Sequence, residues 1–332
     1  MTGGRDIEQT CARSGSDPGV RARHGPRARG AWLALAACAC ALGTSAAVAA
    51  THALIIAGLG GEPAYEQKFR EQAATIAAAA AKVTGDPARV VTLSGDRARR
   101  DSVRREMKAL ASRLGPDDAV TIVLIGHGTF DGEEYRFNVP GPDLTGSELG
   151  GLFDGLPAVE QLIVNATSAS GATLERWQRP RRIVITATKS GGERTATRFA
   201  EHWAKAVSSD AGDTNKDGVV TAIEAYEYAA REVEASFKAE VALATEHSRI
   251  AGEAPAQFTV ARLGPAPNAE EDPQVRAMLA RREGVERAIE EVKARRASLS
   301  EDEYYDALET VLVELALLQR QIDTRQAAAG GQ

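Results

Sequence analysis

Ala119-Val-Thr-Ile-Val-Leu-Ile125 and Gln161-Leu-Ile-Val164 are two short apolar runs that each end in a cluster of small and polar residues. The first continues into Gly126-His127-Gly128, and the second into Asn165-Ala-Thr167-Ser168-Ala-Ser170-Gly171. Both runs are rich in β-branched residues and apolar at odd and even positions, which is typical of strands buried on both faces of a parallel sheet. Because ligands and reactive groups gather at the carboxyl ends of such strands, we expect His127 and the hydroxyl cluster to share one edge of the sheet.

Further apolar runs alternate with helical patterns along the chain. Strands are predicted at 52–57, 89–93, 181–187 and 257–261, and helices at 66–83, 100–114, 195–207 and 222–239. The segment 130–139 carries the pair Asp131-Gly132, which favours a hairpin turn. Strands that alternate with helices predict an α/β domain around a mostly parallel sheet, which we assign to residues 51–263.

The two motifs together resemble the caspase/legumain-like cysteine peptidases. In that family the His of a Gly-His-Gly motif is the general base, and the nucleophile is a Cys in a turn of the type Asp/Glu-Ala-Cys-x-Ser-Gly. On that turn Ser168 stands where the Cys belongs, and Thr167 is the alternative hydroxyl if the register differs by one residue. The resemblance covers roughly residues 52 to 245. It implies a caspase/legumain-like fold, a mostly parallel sheet with helices on both faces.

The loop after the strand that follows the nucleophile lines the substrate pocket in the family that the chain resembles. Here that loop offers Lys189, Glu193 and Arg194. The alternative interpretation is a solvated loop without a binding role, since loops carry binding residues but also lie on the surface for other reasons. The resemblance therefore implies a pocket for a peptide or protein substrate, whose preferred side chain stays open.

The cysteines bear on whether such a site is catalytic. All three, Cys11, Cys38 and Cys40, precede a predicted signal cleavage point, so the mature chain has neither a Cys nucleophile nor a disulfide. A Ser hydroxyl is harder to ionise than a thiol and needs a well-aligned base. We therefore favour a pseudopeptidase or peptide-binding protein. An active hydrolase that uses Ser168, with His127 as base, is the alternative, and enzymatic activity stays open.

The most specific motif is Asp213-Thr-Asn215-Lys-Asp217-Gly218-Val219-Val220-Thr221-Ala-Ile223-Glu224, which matches a twelve-residue EF-hand calcium loop. Its positions predict Ca²⁺ ligands of the oxygen type that calcium prefers. These ligands are Asp213, Asn215, Asp217, the carbonyl of Val219, Thr221 and Glu224. The alternative is an Asp- and Asn-rich turn that caps the next helix. Since the loop is single, we expect an EF-hand-like insertion that works as a structural clamp.

Composition and the first fifty residues bear on the compartment. The 332 residues are 43% hydrophobic and 26% charged with a net charge of −6, an ordinary globular balance that argues against general nucleic-acid binding. Residues 1–50 combine a basic flank, an apolar segment at 31–42 and Ala47-Val48-Ala49, the layout of a signal peptide. The apolar segment is too short to span a bilayer. We expect cleavage after Ala49 or Ala50, an exported periplasmic or secreted protein, and no transmembrane span in the mature chain. A lipoprotein anchored at Cys38 is the alternative.

The end of the chain has a separate pattern. Residues 264–271 are a Pro-rich linker, and residues 272–327 predict a helical hairpin whose second helix opens with the capping box Ser300-Glu-Asp-Glu303. Its apolar residues recur every three or four positions as a heptad seam: Tyr304, Leu308, Val311, Leu315, Leu318 and Ile322. Two such helices bury little surface alone. The hairpin either docks on the main domain or forms an oligomer or partner contact. The third functional hypothesis is thus a calcium-stabilised scaffold that assembles through this tail.

Overall fold

A six-stranded sheet forms the centre of the computed structural model, which describes residues 49–158, 160–263 and 273–330. In spatial order its strands are Val90–Leu93 (β2), Thr51–Ala57 (β1), Ala119–Gly126 (β3), Glu160–Thr167 (β7), Arg182–Thr186 (β8) and Arg249–Ala251 (β10). All neighbours are parallel except β10, which pairs antiparallel with β8 at one edge. The predicted α/β class with a mostly parallel sheet is confirmed.

Helices cover both faces of this sheet. Pro63–Thr84 (α1), Phe199–Ser208 (α5) and Ala222–Ala239 (α6) pack on one face, and Arg100–Arg113 (α2), Gly146–Asp154 (α3) and Leu174–Trp177 (α4) pack on the other. Successive side chains of β1 point to opposite faces, so Ile55 joins the first core whereas Leu54 and Ile56 join the second. Residues at odd and at even positions are both buried, which explains why these strands are apolar throughout.

Two small antiparallel sheets flank the main one. Gly128–Phe130 (β4), Tyr135–Phe137 (β5) and Leu144–Thr145 (β6) form the first, and Val219–Thr221 (β9) with Thr259–Arg262 (β11) forms the second. The predicted hairpin is present, because the Asp131 carboxylate accepts hydrogen bonds from the N–H groups of Glu133 and Glu134 and closes the turn between β4 and β5. This hairpin starts directly after His127.

Two elements differ from the prediction. Helix α5 begins at Phe199 instead of Thr195, because its first N–H groups bind the carboxylate of Glu246 and residues 189–198 remain a loop. The predicted last strand lies in the two-stranded sheet as β11, whereas β10 forms the edge of the main sheet. With three residues, β10 is too short to give a periodic signal.

The C-terminal hairpin consists of Pro273–Ala294 (α7) and Glu301–Gly330 (α8). The capping box is confirmed, because Ser300 Oγ and the Glu303 carboxylate bond to each other and to each other's N–H groups. The seam between the helices is buried at Val285, Ile289, Tyr304, Leu318 and Ile322. The predicted signal peptide and the linker at 264–271 lie outside the described residues. Within the described ranges, no helix is both long and apolar enough to cross a membrane.

Candidate functional site at the ends of strands β3 and β7

His127 follows β3 directly and lies at the carboxyl edge of the sheet. Its ring packs edge-on against two aromatic rings of α1, with ring centroids 5.0 Å from Tyr65 and 5.3 Å from Phe69. In the described part of the chain the imidazole makes no hydrogen bond with another side chain, while the carbonyl of His127 accepts one from the N–H of Asn138. The imidazole is thus held by packing, and its half-exposed nitrogens are not committed to a partner within residues 49–158, 160–263 and 273–330.

Ser168 follows β7, the strand beside β3. The registered pair Gly126–Thr167 ends the β3–β7 ladder, so His127 and Ser168 are the next residues of two adjacent strands. The backbones touch as well, since a Cβ built on Gly128 would overlap the carbonyl oxygen of Ser168 and lie 2.8 Å from Thr167 Oγ1. Ser168 is only 2% exposed. The prediction that the His motif and the hydroxyl cluster share one sheet edge is confirmed.

The residue after Ser168 has a strained backbone. Ala169 has φ +56°, in the left-handed region that disfavours residues with a Cβ. Its N–H donates a 2.7 Å hydrogen bond to the carbonyl of Glu193, in the loop after β8. Strain of this kind persists only where the surroundings enforce it, and it occurs often at functional sites. The turn Ser168–Gly171 is therefore a sharp elbow held by the loop Lys189–Arg194.

Thr167, the alternative hydroxyl, is fully buried and already bonded. Its Oγ1 lies 2.6 Å from Tyr135 Oη and 2.8 Å from Asn165 Oδ1, and Asn165 Nδ2 donates to Thr173 Oγ1 at 3.2 Å. Burial raises the pKa of the Tyr135 phenol above its ordinary range, so the phenol stays protonated. The network ties β5 to β7 beneath the elbow. Sequence reasoning missed it, although Asn165 is a polar residue inside an apolar strand, which is a usable signal.

The three predicted pocket residues differ in environment. Lys189 and Arg194 are exposed, whereas Glu193 is mostly covered. The Glu193 carboxylate accepts hydrogen bonds from the N–H of Lys189 at 2.9 Å and the N–H of His247 at 3.1 Å, and its other oxygen lies 2.5 Å from His247 Nδ1. Burial alone would raise the pKa of Glu193, but these hydrogen bonds outweigh burial and hold the pKa below its ordinary value. Glu193 therefore holds the loop Lys189–Arg194 in place through these hydrogen bonds, and His247 is its hydrogen-bonding partner.

Glu246 is a second buried carboxyl group behind the elbow. It is 5% exposed and accepts hydrogen bonds from the N–H groups of Arg198 and Phe199, at 2.8 and 2.9 Å, where α5 begins. Burial raises its pKa to about 7, although these two bonds act in the opposite direction. Sequence reasoning missed Glu246, because its partners lie 47 and 48 residues earlier in the chain.

The loop Asp213–Glu224 is compact and built around its carboxylates. Asp213 accepts hydrogen bonds from the N–H groups of Asp217 and Gly218, and Gly218 has φ +82°. Glu224 accepts from the N–H and hydroxyl of Thr214 and of Thr221, and with Thr221 it forms the capping box of α6. Strand β9 pairs Val219 with Arg262 and Thr221 with Thr259 of β11.

Oxygen donors dominate this loop. Asp213 and Glu224 are buried, and burial, followed by the nearby Glu224 and Asp213 charges, raises the pKa of Asp217. No three acidic, His or Cys side chains within the described residues already lie close enough to hold a metal ion. The reason is local, since the Glu224 carboxylate is turned onto Thr214 and Thr221. The donor chemistry fits a hard cation such as Ca²⁺, provided Glu224 exchanges these bonds for the ion.

A cavity of about 450 Å³ separates this loop from the C-terminal hairpin. Its walls include Asp217 and Glu224 on one side, and Ile289, Leu312 and Leu315 on the other. The hairpin therefore lies beside the predicted calcium loop.

Comparisons with known proteins give the following likenesses. No family model matches the chain, and no curated protein matches it. Among solved structures, the protein GSU0716 from Geobacter sulfurreducens is similar with a TM-score of 0.43 and 13% identity, over 61% of this chain and 92% of that one. Caspase-1 from Spodoptera frugiperda has a TM-score of 0.42 and 11% identity, over 61% and 86% of the two chains. The Drosophila initiator caspase Dronc has a TM-score of 0.42 and 9% identity, over 63% and 85%.

Proposed function

We propose that this chain is an exported peptide-binding protein with a caspase/legumain-like fold, in which the cleft of a peptidase is kept without its cysteine. The observation that carries the proposal is the pairing of His127 and Ser168 at the adjacent ends of β3 and β7, with the strained Ala169 next to Ser168. Within the described residues neither side chain is hydrogen-bonded to the other. A Ser nucleophile without an aligned base is a poor one, which favours binding over cleavage.

The test of binding uses a diverse peptide library presented to the mature chain from Ala50 onward. The expected result is retention of peptides that share one preferred side chain, and loss of this preference in a Lys189→Ala, Arg194→Ala double variant. A matched control is Lys108→Ala on the exposed side of α2. If the double variant retains the same peptides as the parent, the loop Lys189–Arg194 is not the pocket.

The alternative function is hydrolysis of peptides by Ser168. In this reaction His127 takes the hydroxyl proton while Ser168 Oγ attacks the peptide carbonyl, and backbone N–H groups near Gly128 and Ser168 bind the oxyanion. The strained turn at Ala169 favours this alternative, because a nucleophile sits on a turn of this kind in other hydrolases, although Ser168 itself is only 2% exposed. Ser168→Ala and His127→Ala would each abolish cleavage while the fold survives. Cleavage that persists in either variant would exclude that residue from the reaction.

We further propose that Ca²⁺ stabilises the fold through the loop Asp213–Glu224. Support comes from the filled ligand pattern, the positive φ of Gly218 at its turn and the buried carboxylates. Calcium would neutralise the mutual repulsion of the three carboxylates and fix the start of α6. We expect calcium to raise the melting temperature, and Asp213→Ala to remove this rise. Asp210→Ala, just outside the loop, is the control. A melting temperature that changes with neither calcium nor chelator would exclude the site.

Export is proposed from residues 1–50 alone. N-terminal sequencing of the chain recovered from outside the cytoplasm is expected to begin at Ala50 or Thr51. A chain that begins with a lipid-modified Cys38 would instead establish the lipoprotein alternative.

Assembly through residues 272–327 is the third proposed role. It is favoured by the exposed apolar side chains of α8. Deletion of residues 270–332 is expected to lower the mass per particle in light scattering. An unchanged mass would exclude the tail as the assembling element.

A further inference from the structure

The part of the α8 surface that α7 leaves uncovered is unusually apolar. Four of the seven large hydrophobic side chains that are exposed in the described residues lie on this helix: Tyr305 (52% exposed), Leu312 (46%), Val313 (50%) and Leu317 (51%). The first three of these, together with Leu308, Glu309 and Ala316, border a shallow groove of about 410 Å³. An exposed apolar strip with a polar rim is typical of an interaction surface.

This face repeats the heptad spacing, with the apolar residues Val313 and Ala316 between two charged residues. Glu309, Val313, Ala316 and Arg320 follow one another at spacings of four, three and four residues, and all are exposed. The seam that faces α7 uses other positions, such as Leu318 and Ile322, which are buried. Helix α8 therefore has two seams on opposite sides, of which one is occupied by α7. A seam with this spacing packs against another helix.

The charges along α8 select the direction of that second helix. Residues 301–316 carry six acidic side chains and no basic one: Glu301, Asp302, Glu303, Asp306, Glu309 and Glu314. Residues 317–330 carry Arg320 and Arg325 with a single acidic residue, Asp323. Two parallel copies would bring their acidic halves together, which is unfavourable. Two antiparallel copies would set the acidic half of each helix against the more basic half of the other.

One antiparallel register satisfies the central apolar residues and one pair of opposite charges on either side, although it also sets Asp306 of one copy against Asp323 of the other. With a two-fold axis between Glu314 and Leu315, Val313 of one copy faces Ala316 of the other. In the same register Leu312 faces Leu317, and Glu309 faces Arg320. The apolar pairs lie at the centre with a Glu309–Arg320 pair on either side, so this central part of the face, residues 309–320, is complementary to itself. Self-complementarity is the condition for a closed two-fold dimer.

We propose that the partner of the outward face of α8 is a second copy of this chain, bound antiparallel so that two hairpins form a four-helix bundle. This inference deepens the assembly role proposed above and rests on it.

The test measures the mass of the full chain by light scattering over a range of concentrations. The parent chain is expected at twice the mass of a single chain, and Val313→Asp at the single mass, since it buries a charge at the centre of the contact. Glu309→Arg and Arg320→Glu are each expected to raise the dissociation constant about tenfold, because each replaces two symmetric attractions by repulsions. The double variant is expected to recover the affinity of the parent. Lys108→Glu on α2 is the control for a change of net charge.

The outcomes separate this inference from the assembly role. A dimer that deletion of residues 270–332 abolishes, but that Val313→Asp and both charge reversals leave intact, would keep assembly and overturn the antiparallel contact. A single-chain mass for the parent at every concentration would overturn both. Unchanged circular dichroism of the single variants shows that their effect lies in association. Recovery in the double charge reversal would then identify the Glu309–Arg320 pair directly.

Discussion

The elbow after β7 and the loop Asp213–Glu224 both contain residues with positive φ, and different partners hold them. In the loop these residues are Lys216 and Gly218, and the N–H of Gly218 donates to Asp213 inside the same twelve residues. In the elbow it is Ala169, whose N–H donates to Glu193, 24 positions later. Glycine adopts this conformation freely, whereas a residue with a Cβ loses roughly 1–2 kcal/mol in it.

The difference separates a locally built site from one that is held from outside. In the loop, Asp213 accepts hydrogen bonds from the N–H groups of Asp217 and Gly218, and Glu224 accepts one from the Thr221 hydroxyl, so most of the bonds that shape it lie within its twelve residues. The elbow is held by the loop after β8, and that loop by His247. Local motifs can therefore be recognised from sequence, whereas an externally braced turn needs the tertiary structure.

The largest expected effect comes from disrupting the contact between the elbow and the loop Lys189–Arg194. Gly171→Ala would place a Cβ onto the backbone of Lys189 and Ser190, which cannot move aside as a side chain can. We expect the free energy of unfolding to fall by roughly 3 kcal/mol, measured by urea denaturation. The control is Gly192→Ala, whose Cβ would lie 3.4 Å from Ser190 Oγ, with a change within about 0.5 kcal/mol. Equal effects of the two changes would mean that the elbow is not held by this loop.

The second prediction concerns pH, which acts through Glu246 on the start of α5. The pKa of Glu246 is raised by burial from 4.5 to about 7, so the folded chain binds this proton more tightly than the unfolded chain. The resulting stability is complete below pH 4.5 and is lost as the pH rises through about 7. Relative to Glu246→Gln, which does not titrate, the parent should lose about 3 kcal/mol between pH 4.5 and pH 8. Urea denaturation across this range measures the difference, and parallel pH profiles would contradict the prediction.

The third prediction concerns the cost of the positive φ at Gly218. Gly218→Ala meets no atom within 4 Å, so any cost comes from the positive φ alone. We expect a loss of roughly 1 kcal/mol in thermal or urea denaturation. Gly151→Ala is the control, because its Cβ also meets no atom and it lies on the exposed side of α3, where alanine favours the helix. If both variants are more stable than the parent, the loop does not hold Gly218 at its positive φ.

The smallest effect is expected for the converse change, Ala169→Gly. Relief of the positive φ favours the variant, while loss of a buried methyl group and a more flexible unfolded chain oppose it. These contributions nearly cancel, so the free energy of unfolding should change by no more than about 1 kcal/mol. A loss well above that would indicate that the methyl group, and not the backbone strain, dominates at this position.

Sequence patterns predicted the parts of this molecule that depend on short-range rules. The apolar parity of β3 and β7 predicted buried parallel strands, and their common end brought His127 and Ser168 together as expected. The capping box at Ser300 and the hairpin after His127 followed from local hydrogen-bonding rules.

The remainder depends on contacts between distant segments, which leave no local pattern. The pairing of Glu193 with His247 spans 54 residues, and the start of α5 is fixed by Glu246 from beyond α6. The strand order of the sheet and the three-residue edge strand β10 likewise follow from packing. None of these features could be predicted from the residues nearby.

Strand β11 joins two regions that the sequence presents as unrelated. It pairs with β9 inside the loop Asp213–Glu224, and Leu263 just after it donates a hydrogen bond to the carbonyl of Gly218. The hairpin begins ten residues further on, at Pro273. A pulling force on the hairpin would therefore load the bond between Leu263 and Gly218 first and reach the main sheet only afterwards. The tail is thus attached to the main domain next to this loop, so tension on an assembled tail would act on the predicted calcium site.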